Sequence, residues 1–200
     1  MKVACLQENL VKALENASRF AAKPNRAALP QCSHVLLATD QGRLKLTTTD
    51  LETAFTTWTG ARVDEEGALT VPVNALRDYI KSLPKERIDL SNEKIRLLVV
   101  CGTAQSYFPC RNPSDFPPTP TMGDGVTVTV EPTALGRAIA QVEFAAASND
   151  TRPVLTGIHT MAEDRELTLA AADGWRLAVH KLPLAQEHAA PERVETIIPI

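Results

Sequence analysis

Arg152-Pro153-Val154-Leu155 begins the segment from which the fold is most clearly predicted, and Asp173-Gly174-Trp175-Arg176-Leu177 ends it. Between them, Glu166-Leu167-Thr168-Leu169-Ala170 alternates apolar and polar side chains. This alternation is typical of a strand with one face buried against a core. The stretch therefore predicts a half-buried strand that ends in a tight turn.

An earlier part of the chain repeats this pattern. Leu29-Pro30 begins the earlier copy, residues 43–47 alternate as its strand, and Thr49-Asp50-Leu51 ends it. The matching pairs, each 123 positions apart, are Pro30 and Pro153, Val35 and Ile158, Leu44 and Leu167, Leu46 and Leu169, and Asp50 and Asp173. One repeat of this length indicates a duplicated domain, because solenoid repeats are far shorter.

Length and composition are those of a globular protein. The chain has 200 residues, of which 44% are hydrophobic and 22% charged, values that fit two small domains. The proline-rich segment 112–125 predicts a linker, so we expect domains at 1–121 and 122–200. The apolar runs are too short to cross a bilayer, and no export signal begins the chain.

Cysteine usage points to a reducing compartment. Cys5, Cys32, Cys101 and Cys110 show no metal-type spacing, and isolated cysteines without an export signal are typical of cytoplasmic proteins. The net charge of −3 argues against binding nucleic acid with the whole surface but leaves room for a basic stripe.

The periodicities predict an α+β fold with amphipathic helices on one face of antiparallel sheets. Helices are expected at 8–22, where Asn9 is a candidate cap, at 72–82 and at 132–147. Strands are expected at 2–6, 33–39, 43–49, 53–63, 87–90, 94–100, 105–110, 126–130, 155–161, 166–171 and 176–182, and residues 186–193 form a predicted polar loop. The last residues of the chain match the residues that precede the second helix of the first copy. The remainder of the first copy has no counterpart, so about 45 residues of the second copy are expected to be missing.

Several motifs together resemble the bacterial sliding clamp, the β subunit of DNA polymerase III. They are Thr49-Asp50-Leu51-Glu52, Val71-Pro72, Asp115-Phe116-Pro117, residues 150–155 and residues 173–179. The resemblance covers all 200 residues and implies the DNA-clamp fold, with two helices on one face of each repeated domain. It also implies a homodimeric ring of two head-to-tail protomers, each with three domains, that encircles double-stranded DNA without catalysis or cofactor.

The resemblance also implies a set of sequence-independent DNA contacts. Their residues are Arg26, Lys12, Arg19, Arg77, Lys81, Arg137 and Asn149. Cationic side chains on helices that face DNA phosphates bind through charge alone. The affinity for DNA would therefore fall as the salt concentration rises. From the residues alone, the alternative interpretation is a solvated helix surface.

In the family, replication and repair proteins insert short linear motifs into a pocket on the second domain. The matching residues are Arg152, Leu155, Ala172, Gly174, Trp175, Arg176 and Leu177. Through this pocket the resemblance implies binding of the polymerase III catalytic subunit and the clamp loader. Part of the family's pocket comes from segments that this chain does not match, so weak or no peptide binding by this chain alone is expected. The alternative is a tight turn with core leucines.

Two further groups have two interpretations each. The first group matches the ring interface of the family and consists of Leu76, Tyr79 and Phe108. The alternative is that these are core and edge-strand residues. Asp50 and Asp173 resemble a catalytic or metal-binding pair, but lie in different predicted domains. We therefore expect each to accept turn N–H groups, and we expect no metal site.

Three functional hypotheses follow. The first is a truncated or short form of a sliding clamp, a non-catalytic processivity factor. The second is a non-encircling adaptor or decoy that binds clamp partners or the full-length clamp. The third, an enzyme that uses Asp50, Asp173 and a histidine, is disfavoured by the separation of the two aspartates.

Overall fold

A computed structural model describes residues 1–22, 29–119, 127–149, 151–184 and 190–200. The chain divides into two compact units, unit 1 at Met1–Pro120 and unit 2 at Thr121–Ile200. Within these described residues, no helix is both long and apolar enough to span a bilayer.

The described residues of unit 1 form one antiparallel sheet of eight strands and two α-helices. In chain order the elements are β1 (Lys2–Leu6), α1 (Gln7–Ala17), β2 (His34–Asp40), β3 (Arg43–Thr49), β4 (Ala54–Glu65), β5 (Ala68–Pro72), α2 (Val73–Ser82), β6 (Arg87–Glu93), β7 (Arg96–Cys101) and β8 (Ala104–Pro109). The strand order is β5-β2-β3-β4-β1-β6-β7-β8. The long strand β4 joins two half-sheets, because it pairs first with β3 and then with β1.

Both helices of unit 1 pack on the same face of the sheet. Leu44 and Leu46 of β3 lie in one fully buried cluster with Leu14 of α1 and with Leu76 and Ile80 of α2. The side chains between these leucines on β3 point to the other face, as strand geometry requires. The α+β fold with helices on one face, expected from the periodicities, is confirmed.

Helix α1 differs from its prediction at both ends. It begins directly after β1 at Gln7, so Leu6 and not Asn9 is the cap residue. It ends at Ala17 and not at residue 22, because the hydroxyl of Thr48 donates to the Ala17 carbonyl at 2.8 Å and takes up one of its last acceptors. The chain then turns, and the Phe20 ring stacks on Phe55 with centroids 4.9 Å apart.

The described residues of unit 2 form a four-stranded antiparallel sheet and one α-helix. The elements are α3 (Pro132–Val142), β9 (Gly157–Asp164), β10 (Glu166–Ala172), β11 (Leu177–Pro183) and β12 (Ala190–Pro199), in sheet order β11-β10-β9-β12. The Glu131 carboxylate caps α3 by accepting the backbone N–H groups of Thr133 and Ala134. Ala138 and Val142 of α3 are buried in one cluster with Leu169.

Three predicted elements of unit 2 were wrong in extent or kind. The helix expected at 132–147 ends at Val142, since a 3-10 turn follows and the Ala147 N–H then donates to the Leu155 carbonyl at 2.9 Å. Residues 127–130 form no strand. Residues 190–193, expected in a polar loop, belong to β12, because this strand pairs with β9; the preceding residues 185–189 lie outside the described ones.

The four cysteines are free, and burial raises the pKa of each thiol, to about 12 for Cys5 and about 11 for Cys110. Because the thiolate is the reactive form, we expect a disulfide-exchange reagent at pH 8 to titrate none of them within minutes in the folded protein. The same reagent in denaturant should titrate all four. Rapid reaction of one or more thiols in the folded chain would contradict this burial.

His34 gives unit 1 a pH-dependent stability. Its side chain is 8% exposed, and its Nδ1 has no hydrogen-bond partner among the described residues. Burial, and then the positive charge of Arg111, lower the pKa of His34. The unfolded chain therefore takes up the proton first, and the free energy of unfolding falls as pH drops below about 6.5.

Replacing His34 by glutamine should remove this part of the pH dependence. Urea unfolding of unit 1 at pH 7.5 and pH 5.5 measures this pH dependence as a difference in the free energy of unfolding. The matched control is His180→Gln on half-exposed strand β11 of unit 2, which should keep the wild-type dependence. Equal loss of stability at pH 5.5 in wild type and His34→Gln would refute the assignment.

Candidate functional site

Helices α1 and α2 of unit 1 carry the predicted basic residues on their polar side. Lys12 and Arg19 are exposed on α1 and directly after it, and Lys81 is exposed on α2, whereas Arg77 is partly covered. Arg26, the remaining predicted contact of this unit, lies outside the described residues. The structure thus brings these four cations together on a pair of packed helices.

Polar contacts between the two helices hold two of these cations, Lys81 and Arg77, in place. Lys81 Nζ lies 2.8 Å from Glu15 Oε1, and Arg77 Nη1 donates to Ser18 Oγ at 3.0 Å. The hydrogen bond from Lys81 lowers the pKa of Glu15. Exposed ion pairs of this kind contribute little stability, so phosphate oxygens can replace their carboxylates at small cost.

The two predicted DNA contacts of unit 2 have different surroundings. Arg137 is exposed on α3. Asn149 is exposed after the helix, where its Oδ1 accepts the Thr151 N–H at 3.3 Å. Asn149 also lines a depression with Arg152 and Leu155, so the structure places it beside the predicted peptide pocket.

The turn after β10 is organised by Asp173. Its Oδ1 accepts the N–H groups of Trp175 at 2.9 Å and Arg176 at 3.0 Å. These two bonds are the main reason why the pKa of Asp173 is lowered. Gly174 has a φ of +93°, in the left-handed region that favours glycine. The turn role expected for Asp173 is confirmed.

Asp50 has the same role in unit 1. Its Oδ1 accepts the N–H groups of Glu52 at 3.0 Å and Thr53 at 2.7 Å. The two aspartates therefore stabilise equivalent turns in the two copies. In each, Oδ1 already accepts two backbone N–H groups. The geometry favours structural turns over an acid–base pair.

Three neighbouring depressions on unit 2 are lined by the residues of the predicted peptide pocket other than Gly174. An apolar groove of about 180 Å³ is lined by Val154, Leu155, Gly157, His159, Ala170, Ala171, Ala172 and Leu177. A second depression of about 190 Å³ shares Leu155 with the groove and adds Arg152 and Asp173. A third, of about 320 Å³, is lined in part by Phe144, Trp175 and Arg176.

The groove can bury apolar side chains of a ligand. Leu177 at its rim is 69% exposed and Val154 is 66% exposed, although both are apolar. Covering a leucine or valine side chain contributes about 1.5–3 kcal/mol. Val154 and His159 were not predicted as groove residues, because nothing in the sequence shows that they flank the groove.

Trp175 and Arg176 lie outside the apolar groove, on the third depression. Trp175 is 95% exposed. The Arg176 guanidinium lies 5.9 Å from the centre of the Phe144 ring, and its Nε donates to Asp173 Oδ2 at 2.8 Å. Phe144, which sequence analysis missed, is itself 59% exposed. The predicted pocket residues are thus divided between an apolar groove and an aromatic, cationic surface beside it.

The predicted ring-interface residues lie mostly inside unit 1. Leu76 is wholly buried in its core, so the core interpretation is favoured for this side chain. Phe108 is 8% exposed, and its ring packs on Tyr79 with centroids 5.5 Å apart. Tyr107, on the edge strand β8, is 48% exposed and presents an aromatic side chain at this edge.

Sequence comparison finds relatives over nearly the whole chain. It is 32% identical over 200 residues to the beta sliding clamp of Synechococcus elongatus, covering 98% of this chain and 53% of that protein. It is 32% identical over 181 residues to the beta sliding clamp of Streptomyces coelicolor, covering 90% and 47%. The chain therefore spans about half the length of the curated relatives it matches.

Solved structures agree with the sequence relatives. The DNA polymerase III subunit beta of Pseudomonas aeruginosa superposes with a TM-score of 0.89 at 30% identity, covering 100% of this chain and 53% of that one. The sliding clamp from the same organism bound to griselimycin gives a TM-score of 0.88 at 33% identity, with the same coverage.

Family comparison assigns each half of the chain separately. Residues 1–120 match the DNA polymerase III beta subunit, N-terminal domain, and residues 129–200 match its central domain. Together these matches cover both units and agree with the antiparallel fold. The chain belongs to the DNA polymerase III beta-subunit family.

Proposed function

We propose that this chain works as part of a DNA sliding clamp, a non-catalytic processivity factor of the cytoplasm that tethers a DNA polymerase to its template. The observation that carries the proposal is the pair of helices α1 and α2, whose polar side presents four cations while their apolar sides pack on the sheet. Family membership at both units supports it.

Double-stranded DNA is the proposed ligand of this helix surface. The cationic side chains of this surface lie on or directly after two packed helices, and they are Lys12, Arg19, Arg77 and Lys81. Such a surface contacts phosphates without reading sequence, and each contact releases bound counterions. Arg137, Asn149 and Arg26 are proposed to extend the surface, and Tyr79 and Phe108 to support a head-to-tail ring contact.

The apolar groove of unit 2 is proposed to bind short linear motifs of the polymerase III catalytic subunit and the clamp loader. Leu155, Ala172 and Leu177 line it, and Arg152 lies beside it. A related clamp is known bound to griselimycin, so we propose the same compound as a ligand of this groove.

Loading onto circular DNA tests the clamp function. With clamp loader and ATP, a fluorescently labelled chain should stay on a nicked circular plasmid through gel filtration in high salt. Cutting the plasmid with a restriction enzyme should release it, because a topological link is lost at a free end. Dissociation from the intact circle at the same rate would reject encirclement by this chain.

A second candidate function is an adaptor that binds clamp partners without encircling DNA. The observation that favours it is that the described groove is built within unit 2 and needs no ring. The chain would then form mixed oligomers with a full-length clamp, or compete for its ligands. Light scattering of the chain mixed with a full-length clamp distinguishes this outcome, because a mixed species has a mass that neither component has alone.

A further inference from the structure

A notch lies at the seam between the two half-sheets of unit 1. Strand β1 pairs with β4 only as far as Cys5 and Ala61, and after Leu6, which still pairs with Arg87 of β6, the chain leaves the sheet to begin α1. Residue Gly60, next along β4, pairs on its other side with Arg43 of β3. Because β1 ends there, a cavity of about 400 Å³ opens beside Gly60.

The notch has an apolar lining and a cationic rim. Ala4, Leu6, Gly60 and Ala61 supply most of the lining, and Leu6 is 57% exposed although it is apolar. The charged side chains that line it, among the described residues, are arginines and not carboxylates. Two guanidinium groups therefore lie at the edge of an apolar surface.

The two arginines are Arg62 and Arg87, and each is fixed by an aspartate two residues further along its strand. Asp64 holds Arg62 through Nε and Nη2, and Asp89 holds Arg87 through the same two atoms. Within the described parts of the chain, neither Nη1 has a hydrogen-bond partner. One donor of each planar guanidinium thus remains for a carboxylate of a ligand.

The shape of the notch fits a side chain of another protein better than a free small molecule. Small-molecule sites are concave and bury most of the ligand's surface. This notch is shallow and open to solvent, so it covers one or two side chains and leaves the rest of the ligand exposed. An extended segment of a partner protein satisfies this geometry.

We propose that the notch is a protein-docking site that accepts an apolar side chain flanked by a carboxylate. The apolar group covers Ala4, Leu6 and Ala61, and the carboxylate pairs with Arg62 or Arg87. The site lies wholly on unit 1 and is separate from the groove of unit 2, so it does not depend on the function proposed for that groove.

Gly60 offers a variant that fills the notch without disturbing the fold. A Cβ added at Gly60 would meet no atom within 4 Å, and its φ lies outside the left-handed region. Valine also favours strand backbone, so Gly60→Val should fold as the wild type does. The matched control is Gln105→Val, an exposed position on β8 that does not line the notch.

Two probe peptides test the site in the full chain by ¹H–¹⁵N correlation spectra. Acetyl-Asp-Phe-Asp-amide should shift the backbone amides of Leu6, Gly60 and Ala61 in a saturable way in wild type and Gln105→Val. Acetyl-Lys-Phe-Lys-amide should leave them unchanged. In Gly60→Val the neighbouring amides of Leu6 and Ala61 should no longer respond, and Arg87→Glu should weaken binding at least about threefold.

Either of two results would overturn the proposal. One is that the acidic peptide produces no saturable shift at these amides in the wild type. The other is that Leu6 and Ala61 respond equally in wild type and Gly60→Val. If the acidic peptide shifts only amides of the unit 2 groove, it binds there and not at the notch. That outcome would also overturn the proposal.

Discussion

Replacing Leu177 by aspartate is expected to weaken griselimycin binding by about 10- to 100-fold, since it removes the burial of one leucine side chain. Leu177 lines the apolar groove and is 69% exposed in the free chain. The substitution should therefore change the free energy of unfolding of unit 2 by only about 0.5 kcal/mol. The loss would report on ligand contact and not on folding.

Val179→Asp is the matched control for this variant. Val179 lies two residues further along β11, on the same face of the strand, and is 52% exposed, but it does not line the groove. Isothermal titration of wild type and both variants should show a large loss for Leu177→Asp and a small change for Val179→Asp. Similar affinities in all three proteins would remove the groove from the proposed function.

Truncating Leu44 to alanine is expected to lower the free energy of unfolding of unit 1 by about 2–5 kcal/mol. Leu44 is 0% exposed and packs among the buried residues that join β3 to α1 and α2. Removing its methyl groups loses the transfer free energy and leaves a cavity that close-packed neighbours fill only in part.

Leu98→Ala is the control for Leu44→Ala. Leu98 is a half-buried residue of β7 whose side chain lies between two core residues in sequence, so it points to the opposite face. Urea unfolding followed by a probe of unit 1 should show a much smaller change for this variant. Equal losses for Leu44 and Leu98 would mean that the helix-covered face is not the main core of the unit.

Local periodicity was sufficient to predict most of the fold. Alternation at residues 43–49 predicted strand β3 with its observed bounds, and the apolar stripe of residues 72–82 predicted helix α2, which begins one residue later at Val73. The helix ends were less predictable, because contacts distant in sequence determine them. Thr48 ends α1 from 31 residues away, and nothing between residues 8 and 22 indicates that contact.

The candidate site was predictable in composition but not in arrangement. The 123-residue repeat and the clamp motifs indicated the turn at Asp173, and its hydrogen bonds are as expected. The position of Arg176 outside the apolar groove could not be predicted, because its guanidinium lies beside Phe144, a residue of the 3-10 turn after α3. Likewise, the notch at Gly60 follows from where β1 leaves the sheet, which is a tertiary feature.

The proposed function requires that the helix side of unit 1, and not the opposite sheet face, lies against DNA. Lys12 on α1 and Arg43 on β3 are exposed cations, and Arg43 lies on the sheet face away from the buried Leu44. Desolvation raises the pKa of each of the four native thiols, so cysteine introduced at either position can be labelled selectively.

Photo-crosslinking to duplex DNA from these two positions is the most direct measurement. With a benzophenone attached to Lys12→Cys or to Arg43→Cys, the account predicts strong crosslinking from position 12, reduced by added salt, and only background crosslinking from position 43. Equal yields from both positions, or a higher yield from position 43, would contradict it.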